Sequence, residues 1–217
     1  MKSLDRQEHW ENIYTNKDEK EVSWFEESPS LSLALIRSTG VNTGASIIDI
    51  GGGASRLVDA LLDQGFAVTV LDLSEKALAI AKARLGAVGA KVRWVVADVT
   101  KWKPSETYDV WHDRAALHFL TDPEDRVVYA ERVHKAVRPG GHVIIGTFAP
   151  DGPERCSSLQ VVRHDAASLA QMLGSEFELT DSRPYSHRTP TGATQRFQFS
   201  RFRRSAIGKV PTERRNS

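Results

Sequence analysis

The chain is poor in the residues that staple or anchor a protein. Its 217 residues include one cysteine, Cys156. An internal disulfide and a multi-cysteine zinc site are therefore excluded, and a reducing, cytoplasmic location is the expectation. No apolar run approaches the ~20 residues that a membrane helix needs, so no membrane partner is expected. The opening residues Met1-Lys2-Ser3-Leu4-Asp5-Arg6 lack an apolar stretch, and no secretory leader is expected there. Net charge is scarce too, at +1, which speaks against a dedicated nucleic-acid binder. Repeats and low-complexity tracts are missing. What imbalance exists sits at the ends: residues 1–30 carry four basic and eight acidic residues, and residues 201–217 six basic and one acidic. The second of these reads as a solvated, frayed tail.

What is present, 40% apolar and 26% charged side chains, suits one globular domain with short appendages. Residues 1–28 read as a separate covering segment, 29–203 as the domain and 204–217 as the basic tail. A helix is predicted over 3–16, with Trp10 and Tyr14 on one face, and another from Ser30 to about Gly40. Short apolar strands then alternate with helices. The strands are 46–50, 66–71, 92–97, 108–112 and 142–148, the last entered through a tight turn at Arg138-Pro139-Gly140-Gly141. The helices are 56–64, 74–85 with Ser74 as cap, 123–137 and 165–174. Two final strands, 177–182 and 195–202, are separated by a Pro/Gly-rich loop. This order predicts an α/β fold with a doubly wound, mostly parallel, seven-stranded Rossmann-like sheet, an antiparallel C-terminal edge hairpin and an N-terminal helical lid.

In such sheets ligands bind beyond the carboxyl ends of the strands. Those ends read Asp49-Ile50-Gly51-Gly52-Gly53, Leu71-Asp72-Leu73, Ala97-Asp98-Val99 and Trp111-His112-Asp113-Arg114. One acid at a strand end is ordinarily a turn residue or helix cap; four in register are not so readily explained. The glycines let backbone approach a ligand closely, and Asp72, 21 residues beyond Gly51, is spaced to accept hydrogen bonds from a ribose diol. A nucleotide-like ligand follows. Arg56 stands where the dinucleotide fingerprint has its third glycine, and no Lys-Ser/Thr pair follows the glycines as in a P-loop.

These residues resemble the motifs of class I S-adenosylmethionine-dependent methyltransferases. Ile48 to Ala54 is similar to the first motif, Asp72 to the ribose acid, and Ala97-Asp98-Val99 to the adenine-holding pair. Tyr108 to Asp113 resembles the strand-four motif, and Arg138 to His142 the turn before strand five. Together they cover about residues 45–150. Ser55 departs from the pattern, where many members have a third glycine. The stretch Trp111 to Leu117 further resembles thiopurine S-methyltransferases, as does Asp125 to Ala130. Trp10, Tyr14 and Ser23-Trp24-Phe25 look like a cofactor-covering segment of the kind found in thiol and in protein-lysine methyltransferases. The resemblance implies S-adenosyl-L-methionine held by Trp10, Tyr14, Trp24, Asp49, Gly51, Gly53, Asp72, Leu73, Asp98, Val99 and His112, with no metal. It implies methyl transfer to a small-molecule nucleophile, with a thiol as one candidate and a protein lysine as the alternative. A cofactor-binding protein without catalysis is a third reading. Base methylation is disfavoured because His112-Asp113-Arg114 stands where a Pro-Pro-aromatic motif is expected.

For the chemistry itself His112, Asp113, Arg114 and His118 are the candidates: His118 as a base, Arg114 as a clamp for an acceptor carboxylate. Each has an ordinary structural reading beside it, a packed helix histidine for His118 and an ion pair for Arg114. Cys156 reads as a buried thiol and His187 as a loop histidine. Acceptor specificity is expected in loops 149–164 and 183–194.

Overall fold

A computed structural model describes residues 3–206. Helices α1 (Ser3–Asn16) and α2 (Ser30–Arg37) precede the first strand. The alternating part runs β1 (Ser46–Ile50), α3 (Leu57–Asp63), β2 (Ala67–Asp72), α4 (Glu75–Leu85), β3 (Arg93–Val96), β4 (Tyr108–Arg114), α5 (Pro123–Ala136) and β5 (Val137–Phe148). A two-residue hairpin pair, β6 (Arg155–Cys156) and β7 (Leu159–Gln160), is followed by α6 (Ala166–Leu173), β8 (Phe177–Arg188) and β9 (Thr194–Arg204). The seven-stranded sheet has the order β3-β2-β1-β4-β5-β9-β8, with β9 antiparallel to both neighbours. The expected doubly wound sheet with an antiparallel edge is the observed one. Among the described residues no helix is long and apolar enough to cross a membrane.

The central strands β1, β2 and β4 are nearly continuous buried runs because helices cover both faces. One core layer joins Ile36 of α2 and Leu57 and Leu61 of α3 to Ile47, Val70, Val110, Ile144 and Phe199. The other joins Tyr129 and Val133 of α5 and Leu169 and Leu173 of α6 to Ile48, Leu71, Trp111, Val143 and Phe202. Helix ends follow their sequence signals. Ser74 Oγ accepts from Ala77 N at 3.1 Å, Asp122 caps α5 ahead of Pro123, and Gly65 turns the chain after α3 at φ +77°. Ser55 Oγ accepts from Leu57 N at 3.2 Å, so the departure from glycine there supports the start of α3.

Three elements differ from expectation. β4 runs two residues further than read, because Asp113 and Arg114 stay in register with Ile145 and Gly146 of β5. Polar residues suggested an end, but each finds buried partners. The Arg138–Gly141 turn lies inside β5, where the register against β4 shifts between Tyr108 and Val110 and Gly140 takes φ +78°. The final hairpin is longer than predicted, so most of the supposed 183–194 loop is strand and His187 is a buried β8 residue. Arg204 closes β9, paired with Glu176, and belongs to the domain rather than the tail. The rest of the expected tail, from 207 on, lies outside the described residues.

Candidate active site

The carboxyl ends of β1, β2, β3 and β4 face α1 across a cavity, the place where such sheets bind their ligands. Its walls include Trp10, Tyr14, Trp24, Gly51, Asp72, Leu73, Asp98, Val99 and Arg114, residues singled out in the sequence. A second cavity adjoins it, lined by Asp49, Gly51, Gly52, His112, Arg114 and Glu26. Gly53 lines neither, but packs behind the first.

The glycine loop is tight for physical reasons. Gly51 and Gly53 take φ +66° and +42°, where L side chains are strained. A Cβ at Gly51 would stand 2.7 Å from Ala116 Cβ, and one at Gly53 2.9 Å from Asp72 Oδ2. The loop therefore lies flush against its neighbours and leaves the cavity clear. Ser74 N donates to Asp72 Oδ1 at 2.8 Å. Burial, reinforced by the charges of Asp49 and Glu11, pushes the Asp72 carboxyl up to about 7 against the pull of backbone N–H donors.

Strand alternation sorts the β4 residues. His112 and Arg114 point to the cavity face, Trp111 and Asp113 to the α5 face. His112 Nδ1 lies 2.7 Å from Asp49 Oδ1, and its Nε2 2.9 Å from Ser32 Oγ. Asp49 and His112 are direct register partners. Arg114 donates to the Trp24 carbonyl at 2.8 Å and ion-pairs Glu26 at 3.1 Å. Glu26 also accepts from Tyr185 Oη at 2.9 Å, and His187 Nδ1 lies 3.4 Å away. The other His187 nitrogen, Nε2, lies 2.8 Å from the Ser23 carbonyl. Burial raises the Glu26 pKa, but His187, Arg114 and Tyr185 outweigh it and hold the carboxyl below its usual range. The chain at 23–26 is thus a strap fastened from β4 and β8.

Asp113 is not in the cavity. It is fully buried on the opposite face, accepting from Ala116 N and Leu117 N and from Tyr129 Oη at 2.8 Å. It shapes the turn after β4, where Ala115 sits at φ +68°. Burial raises its pKa to about 6. Asp113→Ala is expected to cost about 2–3 kcal/mol of stability, since it orphans buried N–H donors and Tyr129. Denaturant melts check this, with ligand affinity measured at a temperature where the variant is folded expected to be unchanged.

His118 is also corrected. It is fully buried, lines neither cavity and packs on Phe148 at 4.7 Å between centroids. Burial, with the charges of His164 and Arg114, lowers its pKa to about 3, so it cannot take up a proton near neutrality. Arg114 holds the strap, the ion-pair reading rather than the free clamp. Cys156 lines the cavity, with its thiol pushed up to about 11 by burial, which makes it a poor nucleophile.

Trp10 meets Trp24 edge-on at 5.5 Å and Phe119 at 4.9 Å, and Trp24 Nε1 donates to Tyr14 Oη at 3.3 Å. Arg6, Phe119, Glu26, Ser32 and Tyr185 were missed. Arg6 had a signal: it precedes Trp10 and Tyr14 at four-residue spacing, and all three line the first cavity. Glu26, Ser32 and Tyr185 had none, because their role depends on where distant segments meet.

Residues 47–141 match the methyltransferase domain family. Among curated proteins the chain is 25% identical over 160 residues to the ubiquinone biosynthesis O-methyltransferase of Pseudomonas entomophila, covering 73% of this chain and 57% of that protein. It is 30% identical over 145 residues to that of Aromatoleum aromaticum, covering 66% and 55%. The chain thus spans little more than half the length of these relatives. Among solved structures, Burkholderia thailandensis 1,6-didemethyltoxoflavin-N1-methyltransferase, with bound 1,6-didemethyltoxoflavin and S-adenosylhomocysteine, superposes with TM-score 0.67 at 24% identity, covering 93% of this chain and 85% of that one. NodS, an N-methyltransferase of Bradyrhizobium japonicum in complex with S-adenosylhomocysteine, gives TM-score 0.68 at 16% identity, covering 93% and 98%. At these identities the two structures speak for the fold. With the matched domain over 47–141, the sheet order and the glycine loop at the end of β1 taken together, the chain carries a methyltransferase domain and shares the fold of the class I S-adenosylmethionine-dependent methyltransferases.

Proposed function

We propose that the protein transfers a methyl group from S-adenosyl-L-methionine to a small-molecule nucleophile enclosed beneath α1 and the strap at 23–26. The observation that carries this reading is the cavity itself, walled by Trp10, Trp24 and Phe119 and lying against the glycine loop, Asp72 and Asp98. When bound, the cofactor supplies an electrophilic methyl group on a sulfonium.

In this reading Asp72 receives the ribose hydroxyls, Asp98 and Val99 hold the adenine, and Leu73 packs beside it. Gly51 brings backbone close to the ligand, and Gly53 lets the loop lie flush behind it. The second cavity sets one guanidinium, Arg114, among the carboxylates Glu19, Glu26 and Asp49; Arg114 is paired with Glu26, and Asp49 is placed to meet the ammonium of the amino-acid end. His112, fixed between Asp49 and Ser32, orients the Asp49 carboxylate. Trp10, Tyr14 and Trp24 exclude water and turn aromatic faces to a cation. In-line transfer needs alignment above all. Asp113 and His118 are not available to remove a proton, and Glu26, held ionised, is a weak base. This favours acceptors that ionise readily by themselves, a thiol or a phenol, over a protonated lysine. The O-methyltransferases among the relatives support oxygen as a candidate beside sulfur.

The test is calorimetric titration with S-adenosylhomocysteine, followed by a turnover screen over thiols, phenols, amines and lysine peptides. Micromolar-order binding and turnover of a small thiol or phenol are expected. Absence of binding, or methylation of lysine peptides alone, overturns the reading.

A further inference from the structure

Helix α1 lies over the cavity with few apolar anchors and many polar ones. Glu11 accepts from Glu75 N at the start of α4 at 2.6 Å, and His9 Nε2 lies 3.3 Å from Ser157 Oγ in the β6–β7 turn. The deepest tie is Arg6. It is 8% exposed, and its guanidinium donates to Asp98 Oδ2 at 2.9 Å and to Asp125 Oδ2 at 2.7 Å. One side chain of the lid thus grips both the end of β3 and the start of α5. Asp98 Oδ1 accepts from Thr100 N and Thr100 Oγ1 at 2.9 and 2.7 Å, which fixes the carboxylate in place.

Arg6 and Asp98 both line the first cavity, and together they present a donor beside an acceptor. A 6-aminopurine carries the complement on its edge, an amine that donates and ring nitrogens that accept. The Asp98 carboxylate answers the amine, and the Val99 backbone N–H can answer one ring nitrogen, which leaves a second ring nitrogen for a further donor. A guanidinium has five N–H donors, and those of Arg6 are not exhausted by its two carboxylates. The Nε–H is buried with no hydrogen-bond acceptor among the described residues. Arg6 thus lines the base end of the cavity beside Asp98 and Val99 with donor capacity to spare.

We propose that Arg6 is a specificity-determining residue for the base of the cofactor, so that closure of α1 and recognition of the base are one event. This rests on the cofactor assignment above. It differs from a plain structural role in one respect: a latch that only holds α1 shut stabilises every ligand alike, whereas a base reader distinguishes ligands by their ring nitrogens.

The experiment is calorimetric titration of S-adenosylhomocysteine and of its 1-deaza and 7-deaza counterparts into wild type, Arg6→Gln and Arg6→Lys, with melting temperatures recorded for each. Wild type is expected to bind the parent ligand tightly and at least one deaza ligand less well. Arg6→Gln is expected to lose ~10–100-fold for the parent, the range for a hydrogen bond to a charged group, and to bind that deaza ligand about as well as the parent. Arg6→Lys keeps the charge but not the fork, and should fall between while staying folded if Arg6→Gln does not. Equal binding of the parent by wild type and both variants overturns the proposal and leaves the cofactor assignment standing. So does an equal loss for every ligand. Failure of wild type to bind the parent at all overturns both.

Discussion

Asp72→Asn is expected to weaken S-adenosylhomocysteine binding by about 10²–10⁴-fold, the loss of two hydrogen bonds to an ionised acceptor at up to ~1.5–3 kcal/mol each. The same residue makes binding pH-dependent. Its carboxyl is lifted to about 7 by burial, by Asp49 and by Glu11, so below pH 7 a ribose diol competes with a proton. Affinity should fall with decreasing pH by up to tenfold per unit, about 1.4 kcal/mol, and binding in that range should release a proton. Calorimetry in two buffers of different ionisation enthalpy measures the proton directly, and Asp72→Asn should abolish it. The sign for stability is the reverse. The folded pKa lies above the unfolded value, so the ligand-free fold favours the neutral acid. Asp72 then costs stability as pH rises from about 4 through 7. Asp72→Asn should therefore melt above wild type at pH 8, with the advantage shrinking toward pH 5. Affinity that is flat with pH in wild type counts against the ribose assignment.

Arg114→Ala is expected to destabilise the protein by about 3–5 kcal/mol, because it leaves the carboxylate of Glu26 buried without its principal charge partner. Burial lowers the Arg114 pKa, yet its ion pair with Glu26 and its stacking 5.3 Å over Phe197 keep it in place. The loss is transmitted to the strap, since the Trp24 carbonyl loses its donor. Glu26→Ala should be harmful for the mirror-image reason. The double variant should be less damaged than the sum of the two, as no unpaired charge remains. Denaturant titration of all four proteins gives the coupling. Strict additivity contradicts the account of the strap as a single fastened unit.

The sheet was legible because parallel strands buried on both faces leave an unmistakable rhythm of short apolar runs and helices. The strand ends that line the two cavities were legible for a related reason: Asp72 and Asp98 close or directly follow such a run, and Asp49 sits inside one. The errors lie where one polar residue had to be assigned a direction. Asp113 and Arg114 are neighbours in sequence, yet the pleat sends one to α5 and the other to the cavity. With β4 ended at His112, that alternation was not applied to them. His118 read as a base because its sequence position is near the site, whereas its ring is enclosed by Phe148 and Phe119. Glu26 and Tyr185 are separated by 159 residues, and no local pattern announces their meeting. Arg6 was missed for a different reason: its helical spacing with Trp10 and Tyr14 is a local signal, but a charged residue beside an aromatic face reads first as solvated.

The outer strand β8 carries a consequence of its own. A strand on the rim of a sheet offers unpaired backbone groups to any other extended chain, which makes it a template for aggregation. β8 shifts register between Leu179 and Asp181, and further along it carries Pro184, which has no N–H to donate. Glu178, Arg183 and Arg188 are exposed along it. At the opposite rim β3 is four residues long and begins with the exposed Arg93. Irregular pairing, proline and charge on one side, and brevity on the other, make both rims poor templates for further strands. A partner arriving as an extended peptide finds neither rim suited to it, although the parallel strands at the centre of the sheet are largely apolar.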